Sequence, residues 1–231
     1  MKQAPDFDQH ADAYDVELNR GLSVSGEERE YFAGGRVAWL QQKLQQLGVS
    51  PAAAVDYGCG IGDTTNLLCD TLHLSSVVGL DVSVRSLELA RRRHPRQECR
   101  FLAFGEHIPA ADRDLVYCNG VFHHIPVDDR SGAVDYIFRC LRPGGMFSLW
   151  ENNPWNPGTR YVMSRIPFDR DASMIAAPQA ARLFRSGGFQ IISVDYLFLF
   201  PRFLKWLRFV EPYASRIPLG AQYQVLGRKP G

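Results

Sequence analysis

Glycines, carboxylates and imidazoles stand in this chain at spacings that could do chemistry together. Gly58, Gly60 and Gly62 alternate in A-A-V-D-Y-G-C-G-I-G-D-T-T at residues 53–65, after a short apolar run that reads as a buried strand and before a helix start at Asp63-Thr64-Thr65. Such a turn lets a ligand approach backbone where a Cβ would block it, and the N–H groups of a helix N-terminus favour an anionic group. A second apolar run, Val77-Val78-Gly79-Leu80, ends in the carboxylate of Asp81. The phrase Asn119-Gly120-Val121-Phe122-His123-His124 closes a later strand, and an imidazole near its reference pKa of about 6.5 can accept a proton at neutral pH. The expected ligand is small, with a negative end.

The elements that must position these residues alternate along the chain. Val37, Leu40, Leu44 and Leu47 follow a helical period over 35–47, and Gly48 stops that helix. Strands are expected at 53–55, 77–81, 99–104, 114–118 and 146–150, with helices after the glycine turn, after Ser83 as a cap, and at 128–141; Pro143-Gly144-Gly145 reads as a turn. A helix up to Ser186 and strands at 189–198 and 222–226 follow. Alternating strands and helices predict a parallel α/β sheet whose ligands lie outside the carboxyl ends of the strands. Residues 7–29 are polar with Phe7, Ala11 and Tyr14 at near-helical intervals, which fits an arm.

Composition sets outer bounds. With 231 residues, 45% hydrophobic, the chain can bury one substantial core. A formal net charge of +1 leaves no electrostatic footprint for nucleic acid. Cys59, Cys69, Cys99, Cys118 and Cys140 are scattered without a C-x-x-C pair, so neither zinc nor a disulfide framework is expected. The first ten residues lack an apolar h-region and no run is long enough to span a bilayer, so a cytoplasmic protein is expected.

The dinucleotide fingerprint G-x-G-x-x-G fails here, because Asp63 occupies the slot of its third glycine. The pattern instead resembles the class I S-adenosylmethionine-dependent methyltransferases: V-D-Y-G-C-G-I-G for motif I, G-L-D-V-S for motif II, D-L-V-Y-C-N-G-V-F-H-H-I-P for motif IV, and L-R-P-G-G-M-F before strand five. The H-H-I-P phrase is most similar to the branch containing quinone-biosynthesis and natural-product enzymes. The resemblance implies a Rossmann-like α/β fold: a seven-stranded, mostly parallel sheet with an antiparallel last strand and helices on both faces. Residues 1–34 would form an arm or cap, and 35–231 the catalytic domain with substrate-side insertions at 152–175 and 199–220.

The same resemblance implies S-adenosyl-L-methionine as cofactor, S-adenosyl-L-homocysteine as product and no metal. Gly58, Gly60 and Gly62 would serve its carboxylate, Asp56 and nearby carbonyls its ammonium, and Asp81 both ribose hydroxyls, with Asn119 also on the cofactor side. The family's usual acidic residue after strand three is replaced by Phe104. Glu106, two residues on past Gly105, is the nearest carboxylate for the adenine amino group, with Phe104 or Val82 packing on the ring.

On the acceptor side, His124, in preference to His123, would be the base if the acceptor is an oxygen or thiol, the alternative being that one His is structural and packs near the cofactor. Glu151, Asn152 and Trp155 would border the acceptor, with His10 and Tyr14 closing over it. Arg160, Arg165 and Arg170 either recognise an acidic acceptor or pair with Asp169 and Asp171. The stretch L-F-L-F-P-R-F-L-K-W-L-R-F-V, helical from Pro201, reads as a lid or dimer element in preference to a membrane contact. The function expected is methyl transfer to an oxygen or nitrogen of a small molecule, by a monomer or homodimer. Alternatives are methylation of a lipid, quinone or polyprenyl intermediate at a membrane surface, and non-catalytic cofactor binding.

Overall fold

The structure, a computed structural model, describes residues 26–166 and 172–231. His10, Tyr14, Asp169, Arg170 and Asp171 lie outside the described residues, as does most of the expected arm.

The described residues form one sheet. Its strands are β1 (Ala53–Tyr57), β2 (Ser76–Asp81), β3 (Cys99–Ala103), β4 (Arg113–Asn119), β5 (Leu141–Asn152), β6 (Gln190–Leu197) and β7 (Gln222–Arg228). They lie in the order β3-β2-β1-β4-β5-β7-β6, with β7 antiparallel to both neighbours and the remaining pairs parallel. The strand order reverses between β1 and β4, and a crevice opens there at the carboxyl ends. The expected seven-stranded sheet is found.

The helices are α1 (Arg29–Gln46), α2 (Asp63–Leu72), α3 (Val84–Arg93), α4 (Arg130–Cys140), α5 (Pro157–Met163), α6 (Ala177–Ser186) and α7 (Glu211–Ala214). Side chains alternate across each strand, so each parallel strand feeds two cores. Ala54, Val77 and Leu115 pack with Leu40, Leu44, Leu68 and Leu87 of α1, α2 and α3. Val55, Val78 and Val116 pack with Val134, Ile137, Ala180 and Phe184 of α4 and α6.

Several boundaries differ from expectation. Helix α1 begins at Arg29, not Gly35, and runs through Gly34-Gly35. A Cβ on Gly35 would stand 2.7 Å from the Phe198 ring, so this glycine serves a close approach within the helix. Pro143, Gly144 and Gly145 do not end a helix before a fresh strand. They lie within β5, where the pairing with β4 slips between Arg113↔Leu141 and Leu115↔Met146. Strand β5 also continues past Trp150, because Glu151 and Asn152 pair with Tyr223 and Gln222 of β7. Ser83 caps α3 as expected, accepting the Ser86 N–H at 3.0 Å. No helix among the described residues is long and apolar enough to cross a membrane.

The two insertions are stitched together. Asn153, 1% exposed, donates from Nδ2 to the carbonyls of Pro218 (3.1 Å) and Gly220 (2.8 Å). It is a structural clasp, and α5 then starts from the Asn156 cap. Residues Arg202–Val210 form a 3₁₀ segment kinked at Leu204, not a continuous α-helix.

Candidate active site

A cavity of about 650 Å³ occupies the crevice at the carboxyl ends of β1, β2 and β4, within the usual range of roughly 300–1,000 Å³ for ligand sites. The turn after β1 contributes Gly58, Gly60 and Ile61, the end of β2 contributes Asp81 and Val82, and the end of β4 contributes Asn119 and Gly120. Phe104 and Asn152 also line it. The turn is pinned to the neighbouring strand, since the N–H groups of Gly58 and Cys59 donate to the Leu80 carbonyl at 2.7 and 2.9 Å. Asp81 is held in turn: Oδ2 accepts the Gly60 N–H at 2.8 Å and Oδ1 the Ser83 N–H at 2.9 Å. Its carboxylate is therefore oriented before any ligand arrives.

The glycines divide their work. Gly60 (φ +53) lines the cavity, and a Cβ there would meet no atom within 4 Å, so it would stand in cavity space. Gly62 (φ +84) is not in the wall. A Cβ there would lie 2.8 Å from Phe101 and 3.0 Å from Ala90, so its role is close packing of α2 on the sheet and α3.

His123 and His124 both line the cavity, with ring centroids 4.1 Å apart. His123 is buried, and its Nδ1 lies 2.6 Å from Glu151 Oε2. The other oxygen, Oε1, accepts the Phe122 N–H at 2.7 Å. Glu151 thus holds the loop after β4 by its backbone and by an imidazole at once. A carboxylate on Nδ1 favours a proton on that atom, so that in the neutral ring Nε2 would carry the lone pair.

Other expected site residues lie elsewhere. Glu151 does not border the cavity; it stands behind His123. Asp56 lies beneath the glycine turn, 2% exposed, accepting the Thr65 hydroxyl at 2.6 Å, and is not placed to meet an ammonium. Burial pushes its carboxyl up to about 7; the Thr65 bond opposes this, the Asp81 charge reinforces it and Arg36 opposes it. Glu106 turns back to accept the Ala103 N–H at 3.0 Å, so it closes a 3₁₀ turn (Phe104–Glu106) and is absent from the wall. Gly105 lies on a shallow cleft that shares Phe104, Ile125 and Asp129 with the main cavity. Trp155 and Arg160 are exposed and outside the cavity lining: Trp155 precedes α5 and Arg160 lies on its solvent face, whereas Thr159, Val162 and Met163 of the same helix line the cavity. Arg165 stacks on the Tyr161 ring at 4.6 Å.

Arg36 is the residue that motif reading missed. It is 5% exposed and lines the cavity. Its Nη1 donates to Gln222 Oε1 at 2.9 Å and its Nε to the Tyr117 hydroxyl at 3.3 Å, both neutral partners. The neighbouring cations differ: Arg29 pairs with Asp63 and Glu30, and Arg208 with Glu27. A signal for Arg36 existed, since it falls four residues after Phe32 and four before Leu40 on the inward stripe of α1. A guanidinium at such a position is seldom left without a task.

The residues present fit S-adenosylmethionine. Gly60 leaves room against the backbone, and a carboxylate oxygen can accept two hydrogen bonds, so Asp81 can combine its backbone contacts with a cis-diol. The Arg36 guanidinium suits a carboxylate. Among the described residues no group of three or more His, Cys, Asp or Glu could hold a metal ion.

Comparison with known proteins agrees. A family profile described as a methyltransferase domain matches residues 55–149. A trans-aconitate 2-methyltransferase of Azoarcus sp. (strain BH72) is 31% identical over 153 residues, 66% of this chain and 56% of that protein. The chain thus spans just over half the length of this curated relative. Two solved structures share the fold: an S-adenosylmethionine-dependent methyltransferase from Mesorhizobium loti (19% identity, 78% of this chain and 91% of that one, TM-score 0.59), and one from Archaeoglobus fulgidus (10%, 84% and 94%, TM-score 0.62). Motif order, sheet topology and cavity agree with these matches: residues 55–149 carry a methyltransferase domain, and the chain has the fold of class I S-adenosylmethionine-dependent methyltransferases.

Proposed function

We propose that this chain transfers the methyl group of S-adenosylmethionine to an oxygen or nitrogen of a small molecule, with a hydroxyl favoured as acceptor. One observation carries the reading: Gly60, Asp81 and Arg36 share a cavity wall with His123, and Glu151 backs that histidine at 2.6 Å. The cofactor, when bound, supplies an electrophilic methyl on a sulfonium. Asp81 receives the ribose hydroxyls and Arg36 the carboxylate. His123 Nε2 takes the proton from the acceptor, and Glu151 holds the imidazole in the tautomer that can do so and stabilises the cation that results. The apolar walls exclude water and align the acceptor, which is where displacement at carbon gains most.

The relative's name points to trans-aconitate, a substrate already ionised at neutral pH that needs no base. Two features weigh against a polyanionic acceptor here. Arg29 and Arg208 are neutralised by Asp63 and Glu27, and the rest of the wall includes Phe32, Val162, Met163, Ile166, Phe198 and Phe200. Those apolar residues favour a second reading, an acceptor with a lipid-like or polyprenyl body and one polar group. The test is release of S-adenosylhomocysteine from a panel holding trans-aconitate, phenols, amines and isoprenoid alcohols. Turnover of trans-aconitate alone would overturn the hydroxyl assignment. Calorimetric binding of NAD in place of S-adenosylmethionine would overturn the whole reading.

A further inference from the structure

The most exposed apolar surface lies on the segment that rims the cavity. Phe203 is 76% exposed, Trp206 67%, Phe209 72% and Tyr213 88%, and Ile217 and Leu219 follow at 50% and 58%. Solvent-facing aromatics in this density mark an interaction surface. They are also firmly presented. Arg202 donates to the Gly26 carbonyl at 3.1 Å, Arg208 donates from Nε and Nη2 to the Phe200 carbonyl, and Asn156 donates to the Leu219 carbonyl at 2.7 Å. Of the segment, Leu199, Phe200, Pro201, Phe203 and Arg208 line the cavity, whereas Trp206, Phe209 and Tyr213 do not. A lid would have buried them.

Charge decides what covers this face. The segment carries Arg202, Lys205, Arg208 and Arg216 against a single acid, Glu211, which is turned inward to accept the Phe200 N–H at 2.9 Å. Arg202, Lys205 and Arg216 are exposed; Arg216 is held by Asp195 at 3.6 Å and by the Val194 carbonyl at 3.1 Å, whereas Lys205 has no ion pair among the described residues. We propose that the edge formed by residues 202–219 docks on an anionic lipid bilayer, with Trp206, Phe209 and Tyr213 entering the headgroup boundary and Arg202 and Lys205 meeting lipid phosphates. Trp and Tyr suit that boundary, and each basic side chain near an anionic leaflet adds to the attraction. A second copy of this chain is disfavoured, since a two-fold contact would set this cationic face against itself. Because Phe203 both lines the cavity and faces outward, docking turns the cavity mouth to the bilayer. That an acceptor enters by this route rests on the function proposed above; docking itself does not.

The test is co-sedimentation of the full chain with vesicles of phosphatidylcholine containing about one third phosphatidylglycerol, against phosphatidylcholine alone. The expected result is pelleting with the anionic vesicles, reversed by salt. Lys205→Glu, and Trp206→Ser combined with Phe209→Ser, should each reduce the bound fraction about tenfold while leaving S-adenosylmethionine affinity unchanged by calorimetry. Absence of pelleting, equal pelleting with neutral vesicles, or unchanged pelleting of both variants overturns the proposal. So does a concentration-dependent dimer in sedimentation velocity that the Trp206→Ser/Phe209→Ser variant abolishes. Loss of vesicle binding leaves the methyltransferase reading intact, and loss of turnover leaves vesicle binding intact.

Discussion

Glu151 on β5 holds His123 on the loop after β4 through a buried contact of 2.6 Å, and with its second oxygen it holds the Phe122 backbone. Glu151→Gln keeps size and a hydrogen-bonding group but removes the charge that matches an imidazolium. Turnover should fall roughly 10²-fold, on the scale of general-base effects, with S-adenosylmethionine affinity unchanged. His123→Ala should fall as far, and the double variant little further, because the two act as a unit. Additive losses in kcat would separate them.

Asp81→Ala should weaken S-adenosylmethionine binding by about 1.5–3 kcal/mol, the range for hydrogen bonds to a charged group. Calorimetry reads this directly. Asp81→Asn, which retains one oxygen for the Gly60 or Ser83 N–H, should lose less; equal affinity of all three proteins would remove Asp81 from the site.

Arg36→Met should lower S-adenosylmethionine affinity by more than about tenfold, since a charge-assisted hydrogen bond to a carboxylate is lost. Methylthioadenosine lacks that carboxylate, and its affinity should be unaffected. If both ligands weaken in parallel, Arg36 supports the fold and not the ligand.

The two glycines predict opposite phenotypes. Gly62→Ala forces a Cβ to within 2.8 Å of Phe101 and should destabilise the protein by about 1–3 kcal/mol in chemical denaturation. Gly60→Ala, with nothing within 4 Å of its Cβ, should cost only the strain of positive φ, about 1–2 kcal/mol, yet lose most cofactor binding. A Gly60→Ala protein that binds normally would move the ligand off this turn.

Burial holds the Asp56 carboxyl at about 7, against about 3.9 in an unfolded chain. Between those values the folded state keeps a proton that the unfolded state has released. This contribution to stability is therefore complete below about pH 4 and lost as pH rises through about 7. Asp56→Asn removes the ionisation and keeps an oxygen for the Thr65 hydroxyl. Relative to that variant, the parent should lose stability with rising pH across this window, by at most about 1.4 kcal/mol per pH unit. Urea denaturation at about pH 5 and 8 measures it, and a flat difference would contradict the buried-proton account.

Much of the frame was legible because it is local. The glycine turn, Asp81 at a strand end, the Ser83 cap and Gly48 after α1 follow from neighbouring residues alone, and motif order supplied the sheet topology. Depth was not legible. Asp56 and Glu151 sit on strands whose carboxyl ends approach the cavity, but only the third dimension puts Thr65 over one and His123 over the other. Strand β5 reads as ending at Trp150, and it runs on because Tyr223, 72 positions along, pairs with Glu151. Likewise Arg36 looks like an interruption of an apolar stripe until Tyr117 and Gln222 are brought beside it. Such pairings depend on chain separation that no window on the sequence spans.

The Arg36–Gln222 contact also joins helix α1 to strand β7. Gln222 opens β7, which inserts between β5 and β6, so the cavity wall that Arg36 helps to form is closed by a strand 186 positions further along the chain.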